Sequence, residues 1–166
     1  IRDRNELISE LNKVNDRVAV VLVSGNAVSM PWKNDVPAIL QAWYSGTEAG
    51  NALADILSGD VNPSGKLPFT FPNTLSDNGA HALGEYPGDG KNVNYTEGIM
   101  VGYRYSDHNK KAKDLFCFGH GLSYTKFEYG KMAISDKKMH KDSSISICIP
   151  VTNIGKVDGA EIVQLY

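Results

Sequence analysis

Cysteine is scarce in this chain of 166 residues: there are two, Cys117 and Cys148, in apolar surroundings and with no CxxC or Cys/His spacing. That excludes a disulfide scaffold, a dithiol redox motif and a cysteine-rich metal finger. Free buried thiols are the expectation and a single bridge between them the alternative; neither fixes the compartment. The four histidines are scattered without an HxxxH spacing, so no metal is expected. Apolar runs are short, and none approaches the ~18 residues of a membrane helix. Basic residues form no stripe. The formal net charge is −2, and the lysines at 110, 111 and 113 and at 137, 138 and 141 read as solvated clusters, so neither nucleic acid nor an anionic membrane is an expected partner. A phosphate-cradling loop is missing as well, because Ser24-Gly25-Asn26 fits neither GxGxxG nor GxxxxGK[ST]. No cofactor is expected.

What is present is a soluble-globular composition, 42% hydrophobic and 22% charged, enough to build a core and too apolar for a disordered chain. Residues Asn5 to Lys13 place Leu7, Ile8 and Leu11 on one face of a predicted helix. Val18 to Val23 is a continuous, β-branched apolar run without polar alternation, the pattern of a strand covered on both faces of a parallel sheet. Pro31 breaks any helix through the next segment, and Ile39 to Tyr44 reads as a second strand. Thr47 is then the candidate N-cap of a helix running to Ser58. Its Ala49, Ala52, Leu53, Ile56 and Leu57 form an apolar face, and Gly50 and Ala54 provide a shallow surface for close approach to the sheet. Gly59 is placed to end the helix in a left-handed conformation, and Asp60, Asn62, Pro63, Ser64 and Gly65 are turn formers. Helix, strand, loop, strand, helix, turn is the alternating order of a parallel α/β layer.

From Asn73 to Asn94 the chain is polar and glycine-rich without periodicity, which predicts a long loop, with ordered structure resuming at Tyr95. Asn94-Tyr95-Thr96 matches a glycosylation sequon. Beyond Phe127 the grammar becomes that of short strands: Ser144 to Ile149 alternates, Val151 to Gly159 supplies a turn, and Ala160 to Tyr166 reads as a further strand.

Several stretches resemble one family. Trp43 to Pro72, WYSGTEAGNALADILSGDVNPSGKLPFTFP, is similar over about thirty residues to a run in the second, α/β sandwich domain of the glycoside hydrolase family 3 β-glucosidases. Further resemblance comes from Ser24 to Trp32, from Tyr95 to Asp107 (YTEGIMVGYRYSD), from Phe116 to Thr125 (FCFGHGLSYT) and from VTNIGKVDGAEIVQLY at 151 to 166. Cys117 stands where the family often has proline. The resemblance implies an α/β fold: part of an α/β sandwich with parallel strands over residues 1–72, a loop-rich connection packed on it over 73–126, and the start of a fibronectin type III-like β-sandwich over 127–166. A sandwich of that kind has about seven strands, and about three are foreseen here, so the chain is expected to be a C-terminal portion of a longer enzyme.

The activity implied is retaining, exo-acting removal of terminal sugars from β-glucosides or related oligosaccharides, bound through an N-terminal barrel. Members with other specificities act on β-xylosides, α-arabinosides or N-acetyl-β-glucosaminides. The family's nucleophilic aspartate and its acid/base glutamate match no position of this sequence. No residue is therefore assigned as catalytic, and the substrate-binding residues are unknown. Glu48 and Glu97 already match other family positions. Glu97, Arg104, Asp107 and His120 sit among aromatics and are expected to be structural, with Glu97 and Arg104 partners of one another or of the backbone and His120 bonded to backbone in a tight turn. The alternative from a different class is a non-catalytic carbohydrate-binding or structural module.

Overall fold

The computed structural model describes residues 2–166, which divide into two compact units. The first comprises residues up to Leu53 together with Lys66–His120; the second comprises Ala54–Gly65 and Gly121–Tyr166.

In the first unit, helix α1 (Arg2–Val14) leads to strand β1 (Ala19–Leu22), which pairs in parallel with β2 (Ala38–Gln41), Val20 opposite Ile39 and Val21 opposite Leu40. Parallel pairing is what the uninterrupted apolar runs require, but the double coverage expected of β1 does not occur: the strand is half-buried and Val23 is 63% exposed. The core lies instead beside the sheet. Met30, Trp32, Val36, Phe71 and Leu115 are buried, with Ile8, Val20, Leu22, Ile39 and Trp43 packed against them. Of the face foreseen on α1, Ile8 reaches this cluster, whereas Leu7 and Leu11 are exposed. Phe71, 1% exposed, is the hub, meeting Trp43 and Phe116 edge-on and stacking on Phe69 at 5.4 Å. Trp43 itself has φ 54°, a conformation costly for a bulky residue and held here by the aromatic packing.

Helix α2 (Ala49–Ser58) is preceded by a 3-10 turn, Gly46–Glu48. Thr47 lies inside that turn and caps nothing, which corrects the expected N-cap. The apolar face of α2 is also less covered than foreseen: none of its residues is buried and Leu57 is 56% exposed. A Cβ added at Gly50 would meet nothing within 4 Å, so no close helix-on-sheet approach depends on that glycine. Gly59 does adopt a left-handed φ of 90°, its N–H donating to Ile56 O while Val61 N–H reaches Asp55 O.

The segment expected to be a structureless loop is built. Residues 73–94 contain a 3-10 turn at Leu75–Asp77, a short helix α3 (Gly79–Ala82) and a cis Tyr86–Pro87 bond; helix α4 (Tyr103–His108) follows in the stretch where order was expected to resume. Strand β3 (Phe71–Pro72) pairs antiparallel with β4 (Asp114–Phe116) and pins the two ends of the whole stretch together.

The second unit holds two small antiparallel pairs, β5 (Phe127–Tyr129) with β8 (Val151–Asn153), and β6 (Ala133–Ile134) with β7 (Ile147–Cys148). Residues 151–153, read from the sequence as turn, are thus strand. Ala160–Tyr166, read as strand, is irregular, because no strand among the described residues offers it a ladder. Asn62 organises this unit. Its Oδ1 accepts from Ser123 Oγ and Tyr124 N, and its Nδ2 donates to Asp158 O. Cys117 and Cys148 are free and exposed, not buried as expected, since their strand and turn neighbours leave them at the surface.

Candidate functional site

Hydrogen bonds from short polar side chains give the 73–107 segment its shape. Asp77 Oδ2 accepts from Thr74 N at 3.0 Å and Thr74 Oγ1 at 2.7 Å, and Oδ1 accepts from Lys113 N at 3.0 Å. These donors, led by Thr74 Oγ1, hold the Asp77 carboxyl below the ordinary carboxylate range. Asn78 Oδ1 caps α3 by accepting from Ala80 N. Asp89 accepts from the backbone of Lys91 and Asn92, closing a tight turn, and these bonds, that from Asn92 first, lower its pKa as well. Thr96 Oγ1 then donates to Glu85 Oε1 at 2.5 Å, joining the two limbs.

Beneath this lacing lies a cavity of about 330 Å³. Phe69, Tyr86, Tyr95 and Tyr105 contribute aromatic surface to its lining, and Asp77, Glu85 and Glu97 its carboxyl groups. Tyr105 is seated on Gly79: a Cβ at residue 79 would stand 2.9 Å from the ring's Cγ. Asn109 Nδ2 donates to the Tyr105 hydroxyl and fixes the ring's far end. Glu97 is the unusual member. Its Oε2 is shielded from solvent and accepts no hydrogen bond, whereas buried polar atoms are nearly always paired.

The other residues singled out in the sequence are placed elsewhere. Arg104 does not pair with Glu97, which corrects that expectation: it is exposed, with its guanidinium 5.2 Å from the Tyr103 ring centroid, because the first turn of α4 directs it outward. Asp107 is exposed on the same helix. His120 rests its ring against Phe116 at 4.8 Å, while its carbonyl accepts from Leu67 N and its N–H donates to Cys117 O. Burial first, then the charges of Lys33 and Lys66, lowers its pKa below the ordinary 6.5. Lys33 lies over the Phe116 ring and donates to Leu115 O. Glu48 is exposed and accepts from Asn51. Among the described residues, no group of three or more His, Cys, Asp or Glu side chains converges as a metal site, and no helix is long and apolar enough to cross a membrane.

Sequence reasoning missed Glu85 and Tyr86 as cavity residues, having treated 73–94 as loop, and missed Tyr105 within a segment it read as ordered. Two signals were available: Thr74-Leu-Ser-Asp77, a helix-start pattern of the capping-box kind, and Asp89-Gly-Lys-Asn92, an aspartate-led turn.

With a mixed α/β unit, a laced aromatic cavity and the 43–72 run in place, the class is defined. The chain belongs to glycosyl hydrolase family 3, matching the description "Glycosyl hydrolase family 3 C-terminal domain" over residues 2–124. Among individual relatives, it is 54% identical over 165 residues to beta-glucosidase BoGH3A of Bacteroides ovatus, covering 98% of this chain and 22% of that protein. It is 47% identical over 164 residues to thermostable beta-glucosidase B of Acetivibrio thermocellus, covering 99% of this chain and 21% of that one. Solved structures agree. A β-glucosidase from Kluyveromyces marxianus in complex with glucose superposes with a TM-score of 0.81 at 44% identity, over 92% of this chain and 18% of that one. The GH3 β-glucosidase of Bifidobacterium adolescentis gives 0.85 at 34% identity, over 95% and 23%. The chain thus spans about a fifth of the length of the relatives it matches.

Proposed function

We propose that this chain is the C-terminal portion of a retaining, exo-acting β-glucosidase that removes terminal sugars from β-glucosides. The observation that carries the reading is the 54% identity with a β-glucosidase over 98% of the chain. The finer architecture belongs to the same proposal: residues 1–72 as part of an α/β sandwich, 73–126 as the connection packed on it, and 127–166 as the start of a fibronectin type III-like sandwich. The parallel β1/β2 pair and the antiparallel β5/β8 and β6/β7 pairs support those assignments.

In this reading the chain supplies scaffold to a site completed elsewhere in the polypeptide. Retaining hydrolysis needs two carboxyl groups about 5–5.5 Å apart, one attacking the anomeric carbon and one protonating the leaving oxygen. Glu48 is occupied with Asn51 on an exposed turn, and Glu97 belongs to the laced cavity. The test is turnover of an aryl β-glucoside by the parent polypeptide and by residues 1–166 alone. The parent turns over and the chain alone stays at the buffer level. Glu97→Gln in the parent leaves turnover per folded molecule within a few-fold. Turnover by the isolated chain that Glu97→Gln abolishes would overturn this assignment of the chemistry.

A further inference from the structure

We propose that Tyr44, at the carboxyl end of the parallel β1/β2 pair, is a stacking platform for a pyranose ring of a β-glucoside. The inference deepens the β-glucosidase reading and rests on it for the class of ligand.

Three observations converge. The first is position: β1 ends at Leu22 and β2 at Gln41 on the same edge, and in open α/β sheets ligands bind in the crevice outside the carboxyl ends of the strands. The second is a strained residue beside an exposed ring. Trp43, with φ 54°, turns the chain so that its own side chain packs inward on Phe69 and Phe71, while Tyr44 is left 76% exposed. Backbone strain of this kind clusters at ligand sites. The third is rigidity. Gln41 Nε2 donates to Ser24 O at 2.9 Å and Ser24 Oγ at 3.2 Å, Ser24 Oγ donates to Asn26 O, and Ser45 Oγ donates to Ala42 O, so the loops that follow both strands are tied down. The Tyr44 ring is seated on Gly25, where an added Cβ would stand 2.9 Å from its Cε2. A ring held in place in advance loses little freedom when a ligand covers it.

The composition of the two loops selects the ligand. Of residues 23–26 and 42–48 only Glu48 is charged, so an anion would meet no cation there. Their exposed large apolar side chains are Tyr44 and Val23, far short of the ~800 Å² that a stable protein partner covers. Ser24, Asn26, Ser45 and Thr47 add short polar side chains. A pyranose ring has the matching dual character, a face of C–H groups for an aromatic ring and a rim of hydroxyls for small polar groups.

The experiment titrates the parent polypeptide calorimetrically with thiocellobiose, in which sulfur replaces the hydrolysable oxygen, and measures turnover of an aryl β-glucoside alongside. Tyr44→Ala should weaken thiocellobiose about tenfold, the effect of losing one aromatic contact, while Tyr44→Phe keeps the ring and stays within about twofold. Gly25→Ala should weaken binding several-fold with Tm unchanged, because the added methyl strikes the far edge of a ring that can swing away. Thiocellobiose bound equally by the wild type and Tyr44→Ala, or not bound by the parent at all, overturns the platform while a parent that still turns over keeps the hydrolytic reading. Weakening by Tyr44→Ala in a parent without turnover keeps the platform and removes the hydrolytic reading. Equal losses in Tyr44→Phe and Tyr44→Ala would assign the role to the hydroxyl and overturn stacking. A fall in Tm of more than a few degrees for Tyr44→Ala would show the ring covered by another segment of the parent, which overturns the proposal as well.

Discussion

Gly79→Ala is the sharpest probe of the lacing around the cavity, because one methyl group reads out one contact. The added Cβ would lie 2.9 Å from Tyr105 Cγ, 3.0 Å from Cδ2 and 3.4 Å from Cδ1. Carbon atoms pack best at about 3.5–4.0 Å, so ring or helix must move by more than half an ångström. The atoms struck are at the root of the ring, where rotation gives little relief. Tyr105 sits within α4, and its hydroxyl is held by Asn109 at 2.9 Å. Overpacking of this kind costs about 1–3 kcal/mol. The alanine recovers less than about 1 kcal/mol of helix propensity, because Gly79 opens a helix of only four residues. The net loss is about 1–2 kcal/mol, or a fall in Tm of roughly 2–8 °C for a chain of this size. Gly50→Ala is the matched control. It is the second residue of α2, exposed and with open space at its Cβ, so it should gain at most about 0.5 kcal/mol and leave Tm unchanged or raised by a degree or two. Scanning calorimetry of both variants gives the answer. Equal shifts of the same sign, or an unaltered Tm for Gly79→Ala, would refute the account of the Tyr105 seat.

Two further outcomes are expected. Phe71→Ala removes the side chain around which Trp43, Phe69 and Phe116 are arranged and should cost about 3–5 kcal/mol in urea unfolding; a loss below 1 kcal/mol would show that the cluster closes around the hole. His120 should make stability pH-dependent. Its folded pKa is below 6.5, so between that lowered value and 6.5 the unfolded state binds more protons. The contribution is complete above about pH 6.5 and falls as pH drops through the window. His120→Gln should flatten this part of a Tm-versus-pH curve, and an unchanged slope would place the titration elsewhere.

The parallel strands and the left-handed Gly59 were legible because each follows from a local rule, uninterrupted β-branched runs in one case and helix termination in the other. Coverage was not legible: the faces of β1 and α2 read as buried from pattern alone, yet pattern does not say whether a partner layer exists. The order of the 73–94 segment escaped for a different reason. Its order comes from side-chain bonds such as Asp77 to Lys113 and Glu85 to Thr96, which join residues 36 and 11 positions apart and leave no periodic trace. Both cysteines were misplaced by the same limitation, since apolar neighbours in sequence are not burial in space. The Glu97 to Arg104 pairing failed because opposite charges in one segment say nothing of direction, and α4 carries the arginine away.

The interleaving of the two units bears on how the chain is made. Residues 54–65 belong with 121–166, while 66–120 belong with the segment before 54. During synthesis from the N-terminus, Asn62 emerges long before Ser123, Tyr124 and Asp158, its partners. Phe116, the last member of the aromatic cluster around Phe71, is made before any of them. All of unit one has emerged once His120 is made, whereas unit two needs residues beyond it, and the Leu67 bonds to Gly119 and His120 inside unit one bring the ends of the 66–120 stretch together, which lowers the loop entropy left for unit two.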